Sequence, residues 1–208
     1  MNMLSNGNKK YRYRKDIRVM TFGLPPVTTC PGAGWCKKIC YAMRGNMGMP
    51  MARKAQARRF EASKRADFAD KMIAELGRRK SCNAVRIHDS GDFYDSVYLG
   101  KWVIIAKARP DITFFAYTKM VTMFKNMREA LPTNLKVIFS MGGKWDNQID
   151  TVRDCHSRVF ETRGDAIKAG YKLSPDNLPL SFHKPNITRE AFVYHGAMKY
   201  ENCMRLVA

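Results

Sequence analysis

The chain has 208 residues, 45% of them apolar, and carries a formal charge of +19 with a pI near 9.9. That length suits one domain with its own core, and the apolar share excludes disorder along the whole chain. No stretch reaches the ~18 apolar residues a membrane-spanning helix needs, and the basic start lacks the apolar run of a secretory signal, so the chain is expected to stay in the cytosol with no membrane partner. So large a positive charge attracts polyanions, nucleic acid above all, although it also serves plain solubility.

Residues 1–20 read as a basic arm in which Lys9, Lys10, Arg12, Arg14, Lys15 and Arg18 interleave with Tyr11 and Tyr13. This alternation suits an edge strand, and it also suits phosphate contact with base stacking. Residues 21–50 read as a loop, broken repeatedly by Pro25, Pro26, Pro31, Gly32, Gly45 and Pro50. A loop of that length needs something to hold it, and a metal would do so. Residues 51–79 read as one helix, with Phe60, Phe68, Met72 and Leu76 on its buried face. Thirteen basic residues against four acidic ones lie between Lys37 and Lys80. The open face of this helix is therefore either a solvated surface or a polyanion-binding one.

From there strands and helices alternate. Strands are expected at 84–88, 112–117, 135–140, 157–161, 179–182 and 191–194. Helices are expected at 95–108 and 121–131, with shorter helical segments at 147–154 and 165–169. The alternation predicts parallel β/α units in a single α/β domain over 1–208. A partial (β/α) barrel is the first reading and an open parallel sheet the alternative.

Chemistry concentrates in two runs. Cys30, Cys36 and Cys40 are spaced C-x5-C-x3-C in the Gly- and Pro-rich loop. Six cysteines in a reducing compartment argue against a disulfide framework, and clustered thiols there are more often ligands. Thiolates select zinc, copper(I) or iron–sulfur clusters. Structural zinc favours paired C-x2–4-C knuckles, and no second pair follows here. Three close cysteines suit three corners of a [4Fe–4S] cluster better, with zinc as the alternative. Cys203 is the first candidate for the fourth corner, ahead of Cys155, Cys82 and the histidines. That iron could instead stay open to a ligand. Lys37 and Lys38, between two of the thiolates, would offset their charge.

The second run is His88-Asp89-Ser90-Gly91-Asp92-Phe93-Tyr94, directly after a predicted strand. Residues just past strand C-termini form ligand sites in α/β sheets and barrels. Either Ser90 or Asp92 is expected to cap the next helix, with the others facing the site. The same rule picks out the runs Tyr117-Thr118-Lys119 and Ser140-Met141-Gly142-Gly143-Lys144, and His195-Gly196. His88, Asp89, Asp92, Lys119 and His195 are thus candidate catalytic residues lining a pocket, and Ser90, Gly91, Ser140 and Gly142 candidate cofactor contacts. His156 and His183 read as structural or surface histidines.

The runs 29–42 (TCPGAGWCKKICYA), 86–93 (RIHDSGDF), 115–119 (FAYTK) and 193–196 (VYHG) resemble the bacteriophage gene product 88 family. They lie in the expected order over most of the chain. The pattern is also similar to radical S-adenosylmethionine proteins, which place a three-cysteine loop at the start of a β/α barrel. The resemblance implies a phage origin, a location in the host cytoplasm and an iron–sulfur site. The spacing departs from the C-x3-C-x2-C of radical enzymes, which leaves S-adenosylmethionine binding open. Two functions are therefore expected as alternatives. One is an iron–sulfur protein with a polar pocket beside its cluster, in one form a radical-type enzyme. The other is a non-catalytic basic protein that binds nucleic acid or a host complex, with a structural cluster or zinc.

Overall fold

Short runs of β-branched and aromatic residues build the sheet, and the helices between them, of which α3 is clearly two-faced and α4 apolar nearly all round, build its cover. The computed structural model describes residues 2–7, 16–173 and 189–193. In chain order the elements are β1 (Ser5–Asn6), β2 (Val19–Phe22), α1 (Gly45–Gly48), α2 (Pro50–Lys64), α3 (Phe68–Arg78), β3 (Ala84–Ile87), α4 (Ser96–Ala108), β4 (Thr113–Thr118), α5 (Val121–Asn126), β5 (Leu135–Ser140), β6 (His156–Phe160), α6 (Arg163–Lys168), β7 (Lys172–Leu173) and β8 (Arg189–Val193). The strands form one mixed sheet of eight in the order β1-β2-β3-β4-β5-β6-β8-β7. Among the described residues only the β1–β2 strand pair is antiparallel. The sheet is open, with β1 and β7 at its edges among the described residues.

The parallel strands run almost in sequence order, without the reversal of a doubly wound sheet. Right-handed crossovers then put every connecting helix on the same face. Side-chain parity agrees. Val85, Ile87, Phe114, Ala116 and Phe139 join Phe68, Met72, Leu99, Trp102 and Phe124 of the helices in the main core. Further along, Phe160 and Ala191 pack on Ala166 of α6. On the opposite face Val19, Ala84 and Phe115 pack with Ile17 in a small apolar floor. This second face is concave. The Tyr117 hydroxyl on β4 donates to Glu190 Oε2 on β8 at 2.8 Å. In a flat sheet these strands, with β5 and β6 between them, would stand ~14 Å apart.

Several expected elements shift. The helix expected over 51–79 is two helices, because Arg65 is extended (φ −66°, ψ 149°). Lys101 Nζ, from α4, donates to the carbonyls of Ser63, Lys64 and Arg65 at 2.8–3.1 Å. Its ammonium thus satisfies the freed carbonyl end of α2. Neither Ser90 nor Asp92 caps α4; Asp95 does, accepting from Tyr98 N at 2.7 Å. The strand β2 was hidden between arm and loop, its four residues all buried. The helix expected over 121–131 stops at Asn126, followed by a 3-10 turn Arg128–Ala130. Over 147–154 only the 3-10 turn Asp146–Gln148 forms, with turns after it. Much of the basic arm and the strand expected at 179–182 lie outside the described residues.

Candidate functional site

The cysteine loop crosses the C-terminal ends of β2 to β5 and is fastened there by hydrogen bonds. Next to β2 and β3, Leu24 N donates to Ser90 O and Ser90 Oγ donates back to Leu24 O. Asp92 N donates to Thr29 O at 3.1 Å. Beyond β5, Gly34 N and Cys36 N both donate to Gly142 O, and Lys144 N donates to Gly32 O at 2.9 Å. Ala33 and Gly143 pair as an isolated antiparallel bridge. Two glycines make these approaches feasible. Gly91 (φ +82°) has no room for a Cβ, which would lie 2.5 Å from Thr29 Oγ1. Gly142 (φ +102°) lies against the Trp35 ring, 3.0 Å from where its Cβ would stand. Both conformations favour glycine.

Cys30, Cys36 and Cys40 are free and half-buried on this loop. Burial pushes the Cys30 thiol up to about 12, with further contributions from Asp92, Cys40 and Cys36. Burial also raises Cys36, opposed by the ammonium of Lys119. The three sulfurs are therefore close enough to feel one another's charge, and such thiols bind metal by releasing protons. Among the described residues no three Cys, His, Asp or Glu side chains stand in the geometry of a single metal ion. A cubane makes a different demand, since each thiolate binds its own iron and the ligands stand wider apart. The soft donor set and the Gly-rich loop fit that group. Cys203 lies outside the described residues. Cys82 is buried, its thiol donating to Ala84 O, and Cys155 directly precedes β6, its carbonyl accepting from Phe139 N at the end of β5.

Asp92 is the latch of the rim. Its buried carboxylate accepts from Phe93 N (2.8 Å), Thr118 Oγ1 (2.7 Å) and Lys119 N (2.8 Å), tying the end of β3 to the end of β4. Burial outweighs these donors and raises its pKa. Lys119 Nζ donates to Ser140 O, Ser140 Oγ and Met141 O at 2.9–3.0 Å, tying β4 to β5. Asp146 completes the series by accepting from Gly142 N and Gly143 N. Asp89 is partly exposed, and its carbonyl accepts from the Tyr41 hydroxyl. Although Tyr41 exposes most of its ring, this inward hydroxyl is desolvated and its pKa is raised.

His88 does not line a pocket. It is buried among Phe22, Phe93 and Tyr98, with Nε2 and the Tyr98 hydroxyl sharing a 2.9 Å hydrogen bond. Burial lowers its pKa to about 3, so it is neutral. Ser90, Gly91 and Gly142 are likewise occupied in receiving the loop. Asp92 and Lys119 stand close enough to act electrostatically on the thiols, Ser140 is held by Lys119 and Asp89 by Tyr41, whereas His195 lies outside the described residues. His156 is structural as expected, buried between Asp154 O and the Tyr171 hydroxyl. Sequence reasoning missed Trp35, Tyr41 and Asp146; only Asp146 carried a signal, an acidic residue just after a Gly-Gly turn. Val27 (φ +67°) and His88 (φ +66°) are the two described non-glycine residues in the left-handed region, and both belong to this rim. Strain of this kind clusters at functional sites.

These features define an α/β protein whose open, curled sheet carries a three-cysteine loop on its C-terminal rim. A family model described as Gene product 88 matches residues 2–203, and the chain belongs to that family. The "Gene 88 protein" of Mycobacterium phage L5 is 30% identical over 123 residues, 54% of this chain and 52% of that protein. The "Gene 88 protein" of Mycobacterium phage D29 is 25% identical over 123 residues, 54% of this chain and 51% of that protein. The chain thus spans about half the length of the curated relatives it matches. No solved structure matches it. No helix among the described residues is long and apolar enough to cross a membrane.

Proposed function

We propose that the chain is a phage iron–sulfur protein acting in the host cytoplasm, with Cys30, Cys36 and Cys40 each holding one iron of a [4Fe–4S] cluster. One observation carries this reading: all three thiols sit on a loop stitched over the ends of β3, β4 and β5, beside Asp92 and Lys119. The curl of the sheet supports a partial β/α barrel, with the loop across its mouth. When bound, such a cluster supplies one-electron transfer or, with one iron left open, a site for a ligand such as S-adenosylmethionine. Lys119 offsets the negative charge at Cys36. Asp92 and Asp146 hold the loop in register.

Anaerobic reconstitution followed by iron, sulfide and zinc analysis tests this. The expected result is about four irons and four sulfides per chain. Stoichiometric zinc without sulfide overturns it. A Cys203→Ala variant separates the two forms of the site: unchanged cluster content means that Cys203 is not the fourth ligand.

A second reading is a non-catalytic basic protein that holds nucleic acid or a host complex. It rests on the stretch from Ile17 to Phe60, which has eight Lys and Arg and no Asp or Glu. Binding to nonspecific DNA or RNA that weakens as salt rises is its expected signature. Affinity that does not change with salt excludes it.

A further inference from the structure

Just beyond the last cysteine the chain turns apolar side chains outward. Tyr41, Met43, Met49 and Met51 expose 62%, 48%, 58% and 75% of their surfaces. Single exposed apolar residues are ordinary, but four within eleven positions make a patch. The patch is partly pre-organised. Tyr41 is anchored through its hydroxyl to Asp89 O, and Met43 Sδ accepts from an Arg53 guanidinium N–H at 3.2 Å.

The patch continues into a cationic stripe. Met51, Lys54 and Arg58 follow one another at helical spacing along α2, and Lys54 and Arg58, with Arg65 just past the helix, line an open groove of about 630 Å³ between Pro25 and the helix; Arg65 is itself paired with Asp67 at 3.0 Å. From Met51 to Arg65 the stripe runs ~21 Å at 1.5 Å per residue. Along it Glu61 is the one acidic residue, and none precedes it back to Asp16.

We infer that this surface docks an acidic amphipathic helix of a partner protein, of about four turns. Its apolar face would rest on the three methionines and Tyr41, and its carboxylates would meet Lys54 and Arg58. Thioethers are unbranched and polarisable, which suits repacking against another protein's aliphatic side chains. The methionines offer neither a π face for base stacking nor a donor for phosphate, so of the four patch residues only Tyr41 would serve a nucleic-acid groove. The charge selects the acidic partner. The inference is independent of the cluster, since none of its residues is a thiol ligand.

The test uses the full chain and two synthetic peptides of identical Glu/Leu composition. One places its leucines on a single helical face and the other is scrambled. Fluorescence anisotropy is expected to show the amphipathic peptide binding at least about tenfold tighter than the scrambled one. Replacing Met43, Met49 and Met51 together by Ser should remove about that preference, with the thermal melt unchanged because these side chains are already exposed. Lys54→Glu with Arg58→Glu should weaken both peptides. Equal affinity for the two peptides, or an affinity that the methionine replacements do not move, overturns the proposal. So does a single-stranded oligonucleotide that outcompetes the amphipathic peptide at equal charge.

Discussion

The helix-covered face of the sheet and its C-terminal rim are built from opposite materials. The covered face is nearly all hydrocarbon, with the Trp102 ring meeting Phe22, Phe68 and Phe114 at centroid distances of 5.3, 5.7 and 6.3 Å. Its stability comes from area removed from water, which is non-directional and large in sum. The rim is a loop of glycines, prolines and thiols fixed by side-chain and backbone hydrogen bonds, each worth about 1 kcal/mol net. It also carries the strained Val27 and His88 backbones. Such a division keeps global stability in one region and leaves the other free to arrange polar groups, at low local stability.

The largest expected effect breaks the covered face. Trp102→Ala should cost about 3–5 kcal/mol in denaturant unfolding. Cluster content per folded molecule should not change, and a fall would show that the two regions are coupled.

His88 joins the regions, and pH tests it. Its folded pKa of about 3 lies below the ordinary 6.5, so the unfolded chain takes up the proton first. Its stabilising contribution is complete above pH 6.5 and is lost as pH falls from there toward 3. At about 1.4 kcal/mol per unit the loss comes to roughly 4 kcal/mol by pH 3. A His88→Asn variant, which tolerates the left-handed backbone, should show a shallower acid limb. Matching limbs in variant and wild type would rule His88 out as the cause.

A smaller effect is expected at the latch. Asp92→Asn turns one acceptor into a donor, facing either Lys119 N–H or the pair from Phe93 and Thr118. It should cost about 1–3 kcal/mol and lower iron bound per chain. Normal iron content with a lowered melting temperature would make Asp92 a fold residue alone. Smallest is Gly142→Ala, at about 1–2 kcal/mol, from its positive φ and the nearby Trp35 ring. Hydrogen exchange should localise that loss to the cysteine loop, and a uniform loss across the helices would contradict the division.

Local pattern alone made α4 and β5 legible. Residues 96–108 repeat apolar positions at helical spacing before Pro110, and residues 135–140 are a short strand run after Pro132. The C-x5-C-x3-C spacing and the HDSGDF run were equally plain, as was the family they belong to. The break between α2 and α3 was not legible, because the lysine that stabilises it lies 36 residues or more along the chain. Nor was β2, a four-residue strand buried on both faces, in which no alternation marks an inside and an outside.

The sequence by itself determined the alternation of strands and helices and the clustering of thiols, since both follow from residues within a few positions of one another. Only the tertiary structure decided which way each polar residue at a strand end would point. His88 turns into the core, Asp92 and Lys119 tie the strand ends together, and Gly142, more than a hundred residues from Gly34, receives the cysteine loop. Those directions depend on side-chain parity, sheet curl and close backbone approach, which exist only once distant segments have met.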